Sequence, residues 1–276
     1  MIVPDGDSLI WRHIWYRGWR GNGTLSALVM RPAGQSSIKL RRTFATMLKS
    51  IMIQISNAYK NVSVLKLESS ISNNNNINSV PDPISFKPSE FELESIWPST
   101  SRTREIEWIG VVGALTCRKN IPLVLESALN VNRHRIGIVL AGKLDESLKA
   151  EVQTLLQKME RRRIQTVLLD QPLTDGQLDA ILSRLKIVVL AHSNEGPSGI
   201  LGKAVEAGTF VVAAGAHSLR DDCKILSKSS AWSPLSAPDI SESIRIGLEH
   251  RQVTPRSLNT ECKFAEGLFL SYTKNN

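Results

Sequence analysis

Residues 185–215 read LKIVVLAHSNEGPSGILGKAVEAGTFVVAAG, and they are the most informative part of the sequence about the fold. Residues 187–190 predict a buried strand, because a short β-branched run without polar residues is typical of a strand covered on both faces. A helix is predicted over residues 198–207, and Gly208 suits the left-handed position that ends a helix. The next strand begins at Phe210. This alternation predicts parallel strands in a layered α/β domain.

The loop between the first strand and the helix carries one acid, Glu195, shortly after His192. In an open parallel sheet, ligands bind beyond the carboxyl ends of the strands. The free amides of a helix start favour an anion such as a phosphate, and here they belong to Ser198, Gly199 and Ile200. The sequence therefore predicts one crevice for the acid and the anion-binding helix start. We interpret His192 as a structural residue.

The same alternation extends upstream. The segments that carry it are WIGVVGALTCRK at 108–119, a helix at about 122–129, RIGIVLAGK at 135–143, a helix near 145–159, a strand at 167–169 and LTDGQLDAILSRLK at 173–186. Strands of four to seven residues alternate with helices of about a dozen residues. This order predicts a Rossmann-like, doubly wound parallel sheet over residues 106–276.

Together these motifs resemble the donor-binding half of retaining GT-B glycosyltransferases, in particular glycosyltransferase family 4. The resemblance runs from Trp108 to the end of the chain. It implies a nucleotide diphosphate sugar as donor, an acceptor that the sequence does not identify, and no metal or cofactor. Glu195 is then the catalytic residue that orients the sugar. Lys119 and the amides of residues 198–200 neutralise the diphosphate as its bond to the sugar breaks.

Two positions depart from the family pattern. A second glutamate is expected eight positions after the first, where this chain has Lys203, and an arginine is expected where it has Ala114. We interpret Arg118, beside Lys119, as a substitute for the arginine. Lys203 cannot accept hydrogen bonds from ribose hydroxyls, but it can contact a phosphate. An ion pair with Glu206, one helical turn away, is the alternative for Lys203.

The N-terminal part is short for a second complete domain. Residues 1–80 predict a partial α/β acceptor-side domain, and the proline-containing residues 81–105 predict a hinge. A full acceptor domain of this fold needs about 150 residues, because it holds five or more βα units. An early glycine-rich loop is also missing. We expect a truncated or eroded member of the family; the alternative is that a separate chain supplies the missing half.

The positive charge is concentrated at the N-terminus. The formal net charge is +8, and residues 1–67 hold ten basic and two acidic residues, which accounts for all of it. Trp11, Trp15 and Trp19 recur at helical spacing among arginines, and a second basic helix is predicted at about 38–56. This pattern of tryptophans and basic residues indicates either a surface that lies on anionic lipid or helices that pack on the partial domain.

Composition excludes several classes of function. No apolar run reaches the ~18–20 residues of a membrane span, and the first residues lack the features of a secretory signal. Three widely spaced cysteines form neither a disulfide framework nor a zinc pattern. No nucleic-acid-binding module is recognisable. We expect a cytoplasmic protein, with peripheral membrane contact as the open alternative.

Two hypotheses for the function follow. The first is a metal-independent, retaining glycosyltransferase that uses a nucleotide diphosphate sugar. The second is a catalytically inactive binding or scaffold protein, or a truncated fragment, that keeps the fold without the chemistry. Lys203, Ala114 and the missing glycine-rich loop motivate the second hypothesis.

Overall fold

The computed structural model describes most of the chain. The described residues are 2–3, 6–9, 22–30, 39–59, 61–72, 78–97, 106–131, 133, 135–251, 253–258 and 260–273. The predicted tryptophan face at residues 11, 15 and 19 and residues 98–105 of the predicted hinge lie outside them. The chain divides into two compact units. The first comprises Met1–Ile84, Glu195–Gly199 and Leu258–Asn276, and the second comprises Ser85–Asn194 and Ile200–Ser257.

Strands and helices alternate through the described residues. The strands are β1 (Ile2–Val3), β2 (Leu25–Val29), β3 (Val62–Glu68), β4 (Ser79–Pro81), β5 (Glu107–Val112), β6 (Ile136–Ala141), β7 (Gln165–Leu169), β8 (Ile187–His192), β9 (Phe210–Gly215) and β10 (Ser230–Ser233). The helices are α1 (Lys39–Asn57), α2 (Glu90–Glu94), α3 (Ile121–Leu129), α4 (Lys149–Arg161), α5 (Asp175–Arg184), α6 (Gly199–Ala207), α7 (His217–Leu226), α8 (Ala237–Glu249) and α9 (Thr260–Thr273).

The first unit contains a parallel sheet in the order β1-β2-β3-β4. Helix α1 connects β2 to β3 and packs Met52 and Ile53 against Val62 and Val64 of the sheet. These side chains are apolar and buried, so the contact is an ordinary hydrophobic core. The N-terminal residues therefore form an α/β layer, as the sequence predicts.

The C-terminal helix α9 belongs to this first unit. Phe264 and Leu268 pack with Val80 of β4, and Thr260 Oγ1 accepts a hydrogen bond from the Ile84 amide at 2.8 Å. A Cβ at Gly267 would lie 2.5 Å from Val80 Cγ1, so the helix needs glycine to approach the strand. The sequence analysis assigned the C-terminal helix to the donor domain, and that assignment stays a prediction; in the structure the apolar side chains of α9 pack on β4, so the helix groups with the first unit.

The second unit contains six parallel strands in the order β7-β6-β5-β8-β9-β10. Counted along the chain from β5, this is 3-2-1-4-5-6, the order of doubly wound dinucleotide-binding sheets. The predicted sheet is therefore confirmed. The winding direction reverses between β5 and β8, and ligands of such sheets bind at this switch point, beyond the carboxyl ends of the strands.

Local sequence accounts for the helices of this unit. Thr174 caps α5: its Oγ1 accepts the Gln177 amide at 3.1 Å, and Gln177 Oε1 accepts the Thr174 amide at 3.1 Å. This reciprocal pair satisfies two amides that a helix start leaves unbonded. Helix α6 begins one residue later than predicted and ends at Ala207, before Gly208, whose φ is +72°. Strand β8 continues to His192 rather than ending at residue 190.

Candidate functional site

The turn that follows β5 brings three parts of the second unit together. Gly113 has a φ of +79°, a conformation that favours glycine. A Cβ at this position would lie 3.2 Å from Lys119 Nζ and 3.5 Å from Ile200 Cδ1. The ammonium of Lys119 and the first turn of α6 therefore meet at Gly113, at the switch point of the sheet.

A second glycine turn, after β6, supports the first. The Gly113 amide donates to the Ala141 carbonyl at 2.9 Å, and the Leu115 amide donates to the Lys143 carbonyl at 2.9 Å. Gly142 has a φ of +137°, and a Cβ there would lie 2.2 Å from the Gly113 carbonyl oxygen. The two turns are therefore in backbone contact, and any side chain at Gly142 would force them apart.

Lys119 is a buried cation. Its side chain is only 5% exposed, and its Nζ donates to the Val112 carbonyl oxygen at 2.5 Å. Burial, and to a smaller extent the charge of Arg118, lower the pKa of Lys119 to about 8. Within the part of the chain that the structure describes, Lys119 forms no ion pair with a carboxylate. A bound anion would supply the missing negative charge.

Hydrogen bonds connect the loop that carries Lys119 to the end of β8. The Arg118 carbonyl accepts from the Ser193 amide at 3.0 Å and from Ser193 Oγ at 3.2 Å. Asn120 Nδ2 donates to the Ala191 carbonyl at 2.8 Å. The loop is therefore held to the residues on both sides of His192, and the lysine position depends on this long-range contact.

His192 lies at the carboxyl end of β8. Its pKa is lowered to about 4, first by burial and then by the charges of Lys119 and Arg118. The imidazole is therefore neutral at pH 7. Its Nε2 is buried and has no hydrogen-bond partner among the described residues. The sequence analysis interpreted His192 as structural, and only the tertiary structure shows that this nitrogen lacks a partner.

Glu195 and Ser198 lie in the connection from β8 to α6, and Gly199 is the first residue of α6. Glu195 is half-buried, and Ser198 is only 8% exposed. Gly196, between them, has a φ of +138°, so the turn after Glu195 requires a glycine. These residues are grouped with the first unit, whereas Lys119 and Ile200 are grouped with the second. Their joint action on one ligand therefore stays a prediction.

Asp82 is a residue that the sequence analysis did not single out. It lies between Pro81 and Pro83, and its Oδ2 is 3.6 Å from the position of a Cβ at Gly199. Burial raises the pKa of Asp82 to about 6. The flanking prolines indicate extended backbone, but nothing in the sequence indicates that this carboxyl lies beside the first residue of α6.

Lys203 is engaged by protein groups in this structure. Its Nζ contacts Asp179 Oδ1 at 2.7 Å and the Ser85 carbonyl at 2.7 Å. Asp179 is 1% exposed, and its Oδ2 accepts the Lys87 amide at 2.7 Å. The buried pair therefore holds residues 85–87 against α5. This geometry gives Lys203 a structural role, and its contact with a donor phosphate stays a prediction.

The described ranges contain neither a candidate metal centre nor a candidate membrane span. No group of three or more histidine, cysteine, aspartate or glutamate side chains there could hold a metal ion. No helix in those ranges combines the length and the apolar character needed to cross a bilayer.

Comparison with solved structures identifies the architecture. The apo structure of OtsA aligns with a TM-score of 0.59 and 12% identity, over the whole of this chain and 69% of that chain. The fold is that of GT-B glycosyltransferases. The α,α-trehalose 6-phosphate synthase of Burkholderia multivorans aligns with a TM-score of 0.58 and 10% identity, over the whole of this chain and 68% of that one.

A third structure, the E. coli trehalose-6-phosphate structure bound with UDP-2-fluoro glucose, aligns with a TM-score of 0.55 and 12% identity. That alignment covers 96% of this chain and 67% of the other. The chain thus spans about two thirds of the length of these proteins. No protein-family model and no curated protein sequence matches it. The predicted GT-B-like fold is confirmed, whereas membership of family 4 and the retaining mechanism stay predictions.

Proposed function

We propose that this chain binds a nucleotide diphosphate sugar and takes part in the transfer of its sugar, with retention of configuration. The observation that carries the proposal is Lys119, a buried cation at the switch point of the sheet without a carboxylate partner among the described residues. A diphosphate is the kind of ligand that such a site attracts. The proposal is also supported by the neighbour with the same fold that holds UDP-2-fluoro glucose.

Sugar transfer needs positively charged or hydrogen-bond-donating groups around the diphosphate leaving group. When the bond between the sugar and the diphosphate breaks, negative charge develops on the phosphate oxygens, and fixed donors lower the barrier. Lys119, Arg118 and the amides of Ser198, Gly199 and Ile200 are the donors we assign. Glu195 would orient the sugar through its hydroxyl groups. Metal independence rests on the resemblance to the family, and an unchanged rate in a chelator such as EDTA is the expected result.

Calorimetry with UDP, GDP and ADP tests this proposal. We expect one of the three to bind with a millimolar or lower dissociation constant. Lys119→Met should weaken that binding about tenfold or more, since it removes a charge-assisted contact. The matched control is Lys224→Met, because the Lys224 ammonium is exposed and pairs with Asp221 on α7. If no nucleotide binds and Glu195→Ala changes nothing, the donor-site assignment is wrong.

The inactive binding protein remains the second candidate. Ala114 stands where the family pattern has an arginine, and the Lys203 ammonium is held by Asp179. Release of free sugar or sugar transfer from a nucleotide sugar by the purified chain would exclude this candidate. Tight nucleotide binding without turnover, across donors with different bases and sugars, would favour it.

Membrane contact is a further candidate for the first unit. Helix α1 presents apolar side chains to solvent along one stripe, with exposed fractions of 37–68%; they are Phe44, Met47, Leu48, Ile51 and Ile55. The charged residues of this helix are four basic ones and no acidic one. A basic helix with an exposed apolar stripe suits an anionic bilayer surface. We infer that α1 contacts such a surface.

Cosedimentation with vesicles of phosphatidylglycerol tests this contact. We expect binding at low salt, and we expect Phe44→Asp with Ile51→Asp to abolish it. The exposed residue Gln54, changed to Asp on the same helix, is the matched control for the added charge. Absence of sedimentation at low salt, or equal sedimentation of the double variant, would remove this candidate.

A further inference from the structure

His192 carries an unsatisfied nitrogen at the switch point of the sheet. Its Nε2 is buried and has no hydrogen-bond partner in the described part of the chain. A buried polar atom without a partner destabilises the folded state, so such atoms are uncommon unless a ligand or a trapped water forms the missing hydrogen bond. The rest of the residue is well anchored: the His192 carbonyl accepts the Ala216 amide at 3.0 Å.

The charges around the imidazole select the kind of ligand. Lys119 and Arg118 both lower the pKa of His192, and no acid contributes to that pKa among the described residues. The loop with these two cations is hydrogen-bonded to Ala191 and Ser193, on either side of the histidine. A neutral hydrogen-bond donor beside two cations complements an anion with several oxygen atoms better than it complements a neutral hydroxyl group.

We propose that neutral His192 donates a hydrogen bond from Nε2 to a diphosphate group, beside the ammonium of Lys119. The inference rests on the proposed function, because the diphosphate is that of the nucleotide sugar. Nε2 is closed to solvent in the unliganded chain, so binding requires a local rearrangement of the side chains that cover it. His192 is then a binding residue that adds a directed hydrogen bond without adding charge.

Inorganic pyrophosphate is the probe, because it contains the diphosphate group and no base or sugar. Three variants are compared with the unmodified chain by calorimetry. His192→Leu removes the donor, whereas His192→Gln keeps an N–H group near the position of Nε2. The control is His250→Leu, because His250 lies near the amino end of β8, whereas His192 lies at its carboxyl end. The His250 carbonyl accepts a hydrogen bond from Lys186 Nζ at 2.7 Å, and Lys186 directly precedes β8.

We expect His192→Leu to raise the dissociation constant for pyrophosphate about tenfold, as for a lost hydrogen bond to a charged group. His192→Gln should stay within about threefold of the unmodified chain, and His250→Leu should not change binding. Nitrogen-15 spectra of the histidine side chains should show a shift of the Nε2 resonance of His192 when pyrophosphate is added. A structural role alone would give neither the rescue by glutamine nor this shift.

Equal affinities for the unmodified chain and for a folded His192→Leu variant would overturn the assignment, and so would a failure of the unmodified chain to bind pyrophosphate. Thermal melting of each variant establishes that it is folded. The nitrogen-15 shift is measured on the unmodified chain, so it still tests the assignment if a variant misfolds. Binding of pyrophosphate that depends on His192, without binding of any nucleotide diphosphate, would contradict the proposed function and leave the His192 site in place.

Discussion

Lys119 donates a hydrogen bond from Nζ to the carbonyl oxygen of Val112 at 2.5 Å, at the end of the strand that begins the six-stranded sheet. A carbonyl dipole satisfies one of the three donors of an ammonium but does not neutralise its charge. The charged form is therefore disfavoured in the folded chain, and the pKa of Lys119 is lowered to about 8. An anion bound at this position would raise the pKa of Lys119 again.

The first prediction concerns the pH dependence of nucleotide binding. Because Lys119 loses its proton near pH 8 in the free chain, the affinity for a nucleoside diphosphate should fall as the pH rises from about 8 to 9.5. Binding should also take up protons over this range, since the bound anion raises the lysine pKa. Calorimetry at several pH values and in buffers of different ionisation enthalpy measures both effects. An affinity that stays constant to pH 9.5 would contradict the assignment.

The second prediction concerns the paired turns after β5 and β6. Gly142→Ala places a Cβ 2.2 Å from the Gly113 carbonyl oxygen, in a backbone conformation with a φ of +137°. We expect a loss of about 2–4 kcal/mol in the free energy of unfolding, measured by urea denaturation. Gly23→Ala is the control, because its φ is +101° but no atom lies within 4 Å of the new Cβ. That variant should lose about 1 kcal/mol from backbone strain alone.

The third prediction concerns the buried pair of Lys203 and Asp179. Lys203→Met leaves the carboxylate of Asp179 buried without its cation, which should cost about 3–5 kcal/mol. Lys203→Glu restores the residue of the family pattern, but it sets two carboxylates against each other and should be more destabilising still. Lys224→Met removes an exposed ion pair and should change stability by less than about 1 kcal/mol. Urea denaturation at pH 7 compares the three. A Lys203→Glu variant as stable as the unmodified chain would refute the structural role.

The fourth prediction concerns two groups with opposite effects on stability between pH 4 and 6. The pKa of Asp82 is raised from 3.8 to about 6, so its contribution to stability falls as the pH rises through this window. The pKa of His192 is lowered from 6.5 to about 4, so its contribution rises with pH. Asp82→Asn should therefore make stability increase more steeply from pH 4 to 6, and His192→Leu should make the increase shallower. Unfolding midpoints at pH 4, 5 and 6 check both signs.

The spacing of apolar residues along the sequence was sufficient to predict the strands and helices of the second unit. Residues 187–190 form a strand because their side chains are apolar on both faces, and Gly208 ends α6 because it adopts a positive φ. The predicted helix start led to Ile200, and the resemblance to GT-B glycosyltransferases led to Lys119; the structure brings both residues to one turn at Gly113. Contacts between distant residues were not predicted. Asp179 and Lys203 lie 24 positions apart, and their pairing depends on how α5 and α6 pack.

Local conformational preferences and apolar patterning in the sequence were sufficient to predict the alternation of buried strands and capped helices, and with it a parallel α/β sheet. Tertiary structure alone decided three further features: the packing of Phe264 and Leu268 on β4, the position of the Asp82 carboxyl near Gly199, and the burial of the unpartnered nitrogen of His192. The physical reason is that burial and charge at a site depend on which segments come together in space, and residues far apart in the chain supply them.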